Sequence, residues 1–228
     1  MPVALITGAS LGLGHALARE LSEQGWTLVL DARHAAALEA ATHSLAGTGH
    51  VAVAGDVADP RHRTSLVEAV EAAGGLDLLV NNASTLGTSP LPRFADLEEA
   101  TFSRILEVNL VAPLALTRAL LPTLRARRGT VVNITSDAAV EAYEGWGGYG
   151  SAKAGLEHAS RILAAEEPDL RVLAVDPGDM RTAMHQAAFP GEDISDRPLP
   201  DSVAPRLVSL VLGDAPSGRH QLAVEVPA

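Results

Sequence analysis

The chain has no cysteine, which excludes disulfides and thiolate metal sites and leaves the redox compartment unspecified. Aromatic residues make up only 3%, so the apolar core must be built mainly from alanine, valine and leucine. Positive charge is scarce too: 17 Lys+Arg stand against 28 Asp+Glu, a formal net charge of −11. That balance argues against nucleic acid or an anionic membrane as a partner, since both select a basic face. No run approaches the roughly 18 apolar residues of a membrane-spanning helix. The opening MPVALITGAS lacks a basic segment followed by a long apolar one, so no signal peptide is expected. These absences predict a cytoplasmic protein. The eight histidines are scattered, with no pair at the spacing of a metal-binding helix face, and no metal site is expected.

Lysine is scarcest of all. Sixteen of the 17 basic residues are arginine, and Lys153 is the one lysine. It stands in Tyr149-Gly150-Ser151-Ala152-Lys153, four residues after one of only two tyrosines. On a helix these two side chains share a face. An ammonium beside a phenol favours the phenolate, and a tyrosine so tuned can exchange a proton with a carbonyl oxygen near neutral pH.

What is abundant is alternation. Short β-rich apolar runs at 3–7, 27–31, 50–54, 77–81, 130–135, 171–176 and 220–226 read as strands buried on both faces. Between them lie helical patterns at 12–24, 34–46, 60–73, 97–127, 149–166 and 201–212, with the long one expected to break into two helices near Pro113. Strand–helix alternation without a linker predicts one doubly wound α/β domain with a mostly parallel sheet and helices on both faces. The proline- and acid-rich stretch 189–205 suits an irregular connection, and 186–205 is expected to act as a mobile substrate lid. The basic run 125–128 should close a helix, where cations complement the carboxyl-end dipole.

After the first strand comes TGASLGLGHALARELSEQG, a glycine-rich turn leading into a helix. Gly8, Gly12 and Gly14 would let the backbone turn tightly and approach a ligand, and the free N–H groups of the helix start suit a pyrophosphate. The spacing is G-x-x-x-G-x-G. TGASLGLG resembles the cofactor loop of the short-chain dehydrogenase/reductase family, and further stretches resemble that family in order: GDV (55–57), NNAS (81–84, with Ser84 for the family's glycine), VNL (108–110), VVNITS (131–136), YGSAK (149–153) and DPGDMRT (176–182).

The resemblance implies a seven-stranded Rossmann-type enzyme that interconverts an alcohol and a carbonyl with a nicotinamide cofactor. It assigns Tyr149 as acid/base, Ser136 as the group orienting the substrate oxygen, Lys153 as ribose binder and Asn109 as holder of a relay water. It places Gly8, Ser10, Leu11, Gly12, Leu13, Gly14, Asn82 and Ala83 against the cofactor's phosphates and ribose. It sets Asp56 and Val57 at the adenine, and Pro177, Gly178 and Thr182 at the nicotinamide. At the second strand's end the family's diagnostic position falls on Ala32, and Arg33 falls where NADP-preferring relatives carry the arginine for the 2′-phosphate. A guanidinium fork suits phosphate, so NADP(H) is favoured. Asp31 beside that phosphate would repel it unless it points away or pairs with Arg33, and Leu11 takes the place of a second basic residue, so NAD(H) stays open. The substrate pocket would come from 86–94, 138–146 and 179–205. Relatives pair their long helices as dimers or tetramers, and Leu116 and Leu120 are the apolar residues expected at such an interface. The alternative to an enzyme is a dinucleotide-sensing regulator on the same fold.

Overall fold

Strands apolar along their whole length make the centre of the sheet in the computed structural model, which describes residues 1–222. Strands β1 (Val3–Ile6), β4 (Leu78–Asn81) and β5 (Thr130–Ile134) are buried at every position. Strands β2 (Thr27–Ala32) and β6 (Arg171–Asp176) are buried at all but the first. With β3 (Val51–Ala54) and β7 (Gly218–Gln221) they form one seven-stranded sheet in the order β3-β2-β1-β4-β5-β6-β7, every pair parallel. The expectation that all strands are buried on both faces fails at the sheet's two edges, where β3 is largely exposed and β7 only half-buried. β7 begins two residues before the predicted 220, and positions 223–226 of that prediction lie outside the described residues.

Alternation along the strands splits the core in two. Ala4, Ile6, Leu28 and Leu30 face helices α1 (Gly12–Glu23), α2 (Ala35–His43) and α8 (Pro200–Leu212). Val3, Leu5, Val29 and Leu79 face α3 (Pro60–Ala72) and α5 (Ala112–Arg127), with α6 (Gly147–Glu166) closing that layer. The start of α3 is written locally. The Asp59 side chain accepts the Arg61 N–H at 2.9 Å, and Pro60 takes the first helical position. Arg125 and Arg127 close α5 as expected, and Arg128 takes the left-handed conformation before Gly129.

The predicted break near Pro113 does not occur. Helix α4 (Glu99–Leu106) runs into α5 through a π-type turn, Glu107–Val111. Proline has no N–H for the carbonyl four residues back, and the wider turn absorbs that defect without ending the helix. The resulting helix, Glu99–Arg127, is long and apolar enough by length and composition to cross a membrane, which the sequence reading did not foresee. In this fold Ala112, Leu116, Leu120 and Leu124 are fully buried against the sheet. Leu116 and Leu120 therefore cannot form an intersubunit face. The exposed apolar residues of these helices are instead Val111 and Ile162. The stretch 189–205, expected to be irregular, ends in the first turns of α8, and the candidate lid 186–205 also takes in the end of α7 (Ala183–Ala188).

Candidate active site

Parallel strands that all end on one side leave a crevice where the strand order reverses, between β1 and β4. A cavity of about 1040 Å³ lies at that edge. One end is the glycine loop. Its conformation needs glycine at Gly8, with φ +67, where an added Cβ would lie 2.9 Å from the Ala83 Cα. At Gly14 a Cβ would run into the Gly8 carbonyl oxygen. Thr7 and Asn82 brace this loop. The Thr7 hydroxyl oxygen accepts the N–H groups of Asn82 and Ala83, each at 3.0 Å, and the Asn82 amide donates to the carbonyls of Thr7 and Gly8 at 2.9 and 3.2 Å. No side chain caps the start of α1 at Leu11, so its first N–H groups are left for a ligand. An anionic dinucleotide fits that donor set. Gly8, Ser10, Leu11, Gly12 and Leu13 all line the cavity, and Gly14 lies just behind it as a spacer.

The adenosine end is framed by Arg33, Asp56 and Val57. Asp56 accepts the Ala58 N–H at 3.0 Å and is paired with Arg104 at 2.5 Å. Asp31 neither points into solvent nor pairs with Arg33. It is buried and bonded to His62 at 2.6 Å. His62 and Arg104 carried no signal in the sequence, because each reaches its acid from another helix. A clue was available for one of them, since a carboxylate on a buried strand needs a partner.

At the other end Ser136, Tyr149, Lys153, Pro177, Gly178 and Thr182 line the same cavity. Helix α6 presents Tyr149 and Lys153 together, with Nζ 5.5 Å from the phenol ring centre. Lys153 is 1% exposed, the largest fully buried side chain, and donates to the Ile134 carbonyl at 2.7 Å. Gly150 is required one residue on from the tyrosine, since a Cβ there would meet the Ala138 carbonyl oxygen at 2.6 Å. Trp146 sets its ring edge-on to Tyr149 at 5.5 Å, and Phe189 and Tyr143 extend this aromatic wall. The Ser136 hydroxyl donates to Asp137 at 2.8 Å, and Tyr143 donates to the other oxygen of the same carboxylate at 3.0 Å.

Asn109 is fully buried and does not reach the cavity. Its side chain accepts from the Thr85 N–H at 2.9 Å and from the Ser84 hydroxyl at 3.2 Å, and it donates to the Thr85 carbonyl at 2.8 Å. The amide is spent on holding the chain after β4. Ser84, the departure from the family's glycine, thereby bridges Asn109 and the phenol of Tyr149.

Burial dominates the electrostatics. It pushes the Tyr149 phenol up to about 12. Hydrogen bonds from Ser84 and Ser136 oppose the rise, while the charges of Asp137 and Asp176 add to it. Burial likewise pushes Lys153 down to about 8. The expectation that the ammonium lowers the phenol is thus reversed in the free chain: desolvation of the phenolate outweighs attraction to a charge 5.5 Å from the ring centre.

The family described as short chain dehydrogenase matches residues 2–193. Protein FixR of Bradyrhizobium diazoefficiens is 34% identical over 99% of this chain and 84% of its own length. Serine 3-dehydrogenase of Agrobacterium fabrum is 36% identical over 78% of this chain and 72% of its own. The solved alcohol dehydrogenase of the archaeon Thermococcus sibiricus, complexed with 5-hydroxy-NADP, superposes with a TM-score of 0.86 at 29% identity, covering 97% of this chain and 96% of that one. Other solved neighbours of the fold are complexed with NADP or with NADH. Likeness of this extent, over the whole domain that carries the cavity, makes the chain a member of the short-chain dehydrogenase/reductase family, the NAD(P)-dependent oxidoreductases that act on CH–OH groups.

Proposed function

We propose that this protein reduces a ketone or aldehyde to its alcohol, and runs the reverse, with NADP(H) as the favoured dinucleotide. The observation that carries the reading is a phenol, a serine hydroxyl and a buried ammonium on the floor of one cavity whose far end is the glycine loop. When bound, the dinucleotide supplies or accepts the hydride. The chain's own groups do the rest. Tyr149 holds a proton at its phenolic oxygen throughout the neutral range, since its pKa stands near 12. It is therefore set to deliver that proton to the oxygen of a carbonyl under reduction. Ser136 exchanges Asp137 for the substrate oxygen and fixes its direction. Lys153 binds the ribose hydroxyls, a task that suits a compact ammonium better than a guanidinium fork. The Asn109 side chain is committed to Ser84 and Thr85, so the relay water expected of this residue is assigned to its backbone carbonyl. Trp146, Tyr143 and Phe189 exclude water from the reacting face, with the lid 186–205 closing over it. The solved relative bound to an NADP derivative and the exposed Arg33 both support NADP(H).

The test is Tyr149→Phe. Carbonyl reduction should fall by about three orders of magnitude or more, while dinucleotide affinity measured by calorimetry changes less than threefold. Turnover near the wild-type level in that variant would sink the mechanism. A wild-type protein that binds the dinucleotide and reduces nothing in a broad carbonyl screen would favour the sensing role instead.

A further inference from the structure

The adenosine end of the cavity holds two acids and one uncommitted cation. Asp56 is tied to Arg104 at 2.5 Å. Arg63 is turned away, donating to the carbonyls of Val57 and Ala58 at 2.8 Å each. Arg33 is exposed and, among the described residues, has no carboxylate at ion-pair distance, its charge acting on Asp56 only from farther off. Asp31 is the group that decides the charge balance. It is 2% exposed, sits one residue before the end of β2, and meets the Nε2 of His62 at 2.6 Å.

The contact is built into the fold. His62 comes from the first turn of α3, and its ring fills the space where a Cβ on Gly55 would be. Gly55 is therefore required for the ring to reach the acid. The Asp31 carbonyl also accepts the Ala9 N–H at 2.8 Å, so the same residue that holds the acid supports the glycine loop. The hydrogen bond and the charge of the His62 ring both act against the negative charge buried at Asp31. With Asp31 so covered and Asp56 paired, the surplus charge at this end is the guanidinium of Arg33.

We propose that His62 is a specificity-determining residue for the dinucleotide: by covering Asp31 it removes the charge that would repel a 2′-phosphate and would favour a bare ribose. His62 touches neither the phosphate nor the reacting atoms. It is a positioning residue that acts through Asp31. The inference rests on the NADP(H) reading above, but its test is separate from it.

The test is calorimetric titration of the full chain with NADPH and NADH, in four forms: wild type, His62→Gln, Asp31→Asn, and the double variant. Glutamine keeps a donor for Asp31 and cannot carry the charge. His62→Gln should shift the NADPH-over-NADH affinity ratio toward NADH by about tenfold, mostly through weaker NADPH. Adding Asp31→Asn should restore the wild-type ratio to within about threefold. A ratio unchanged in His62→Gln overturns the proposal. So does an equal loss for both dinucleotides that Asp31→Asn fails to rescue, which is what a purely structural histidine would give. A wild type that prefers NADH overturns the NADP(H) reading alone, because the shift caused by His62→Gln and its rescue are read against whichever ratio the wild type has.

Discussion

Lys153 shows what one residue can cost and why it is kept. Its amine has left water almost completely, and its pKa has dropped from 10.5 to about 8. The folded state therefore binds this proton less tightly than the unfolded chain does. The penalty is fully present below pH 8, shrinks as pH rises from about 8 toward 10.5, and amounts to roughly 3 kcal/mol at neutral pH. Lys153→Met should remove both the function and this pH dependence. In urea unfolding, wild type should gain roughly 2 kcal/mol more than the variant between pH 7 and 9.5. Equal slopes would mean that the folded amine keeps its ordinary pKa and stays charged across this range, with no burial penalty. The sequence disclosed the Tyr149–Lys153 pair through spacing alone, because four residues along a helix bring two side chains onto one face. It did not disclose that burial would outweigh their attraction, since the surroundings of the pair are set by residues distant in the chain, among them Ile134 against Lys153 and Ser84 and Asp176 against Tyr149. His62 stayed hidden for the same reason.

At the level of elements, local chemistry was readable wherever it acts locally. The Asp59–Pro60 start of α3, the basic end of α5 and the apolar runs of β1 and β5 all follow from neighbouring residues. Elements fixed by longer-range packing were not. Pro113 looked like a stop signal, yet the π-type turn ahead of it carries the helix through, with Val108 in the turn and Ala112 and Leu116 on either side of the proline seated in one core. The short helix α7 has too few residues to show a period. Another unread device ties β4, β5, α5 and α6 together. The Asn81 amide donates to the Asn133 side chain at 2.7 Å and to Thr117 at 3.1 Å, and Asn133 donates to Ser160 at 2.8 Å. All four residues are buried away from bulk solvent. Asn133→Ala should therefore cost about 1–3 kcal/mol of stability, seen as a lower denaturation midpoint at unchanged slope. A cost under half that size would show that the chain of amides contributes only placement.

For the whole molecule, alternation of strand and helix foretold the parallel sheet, and the handedness of such crossovers leaves few ways to wind it. The strand order then places the glycine loop and the tyrosine helix at one edge, though they are separated by more than half the sequence. One ligand would span both, so binding should stabilise the domain as a unit. At a hundredfold excess over Kd the dinucleotide should add about 2.7 kcal/mol, read as a rise in Tm that grows with concentration and is larger for NADPH than for NADH. Equal shifts for the two would argue against Arg33 as a phosphate anchor. The same architecture has a practical chemical outcome. Apart from the α-amino group, the chain has a single amine, and the fold encloses it completely. An acylating reagent offered to the native protein should thus mark the chain start and leave residue 153 untouched. Every lysine adduct recovered by mass spectrometry becomes a count of how often the floor of the cleft has opened, with no engineered label.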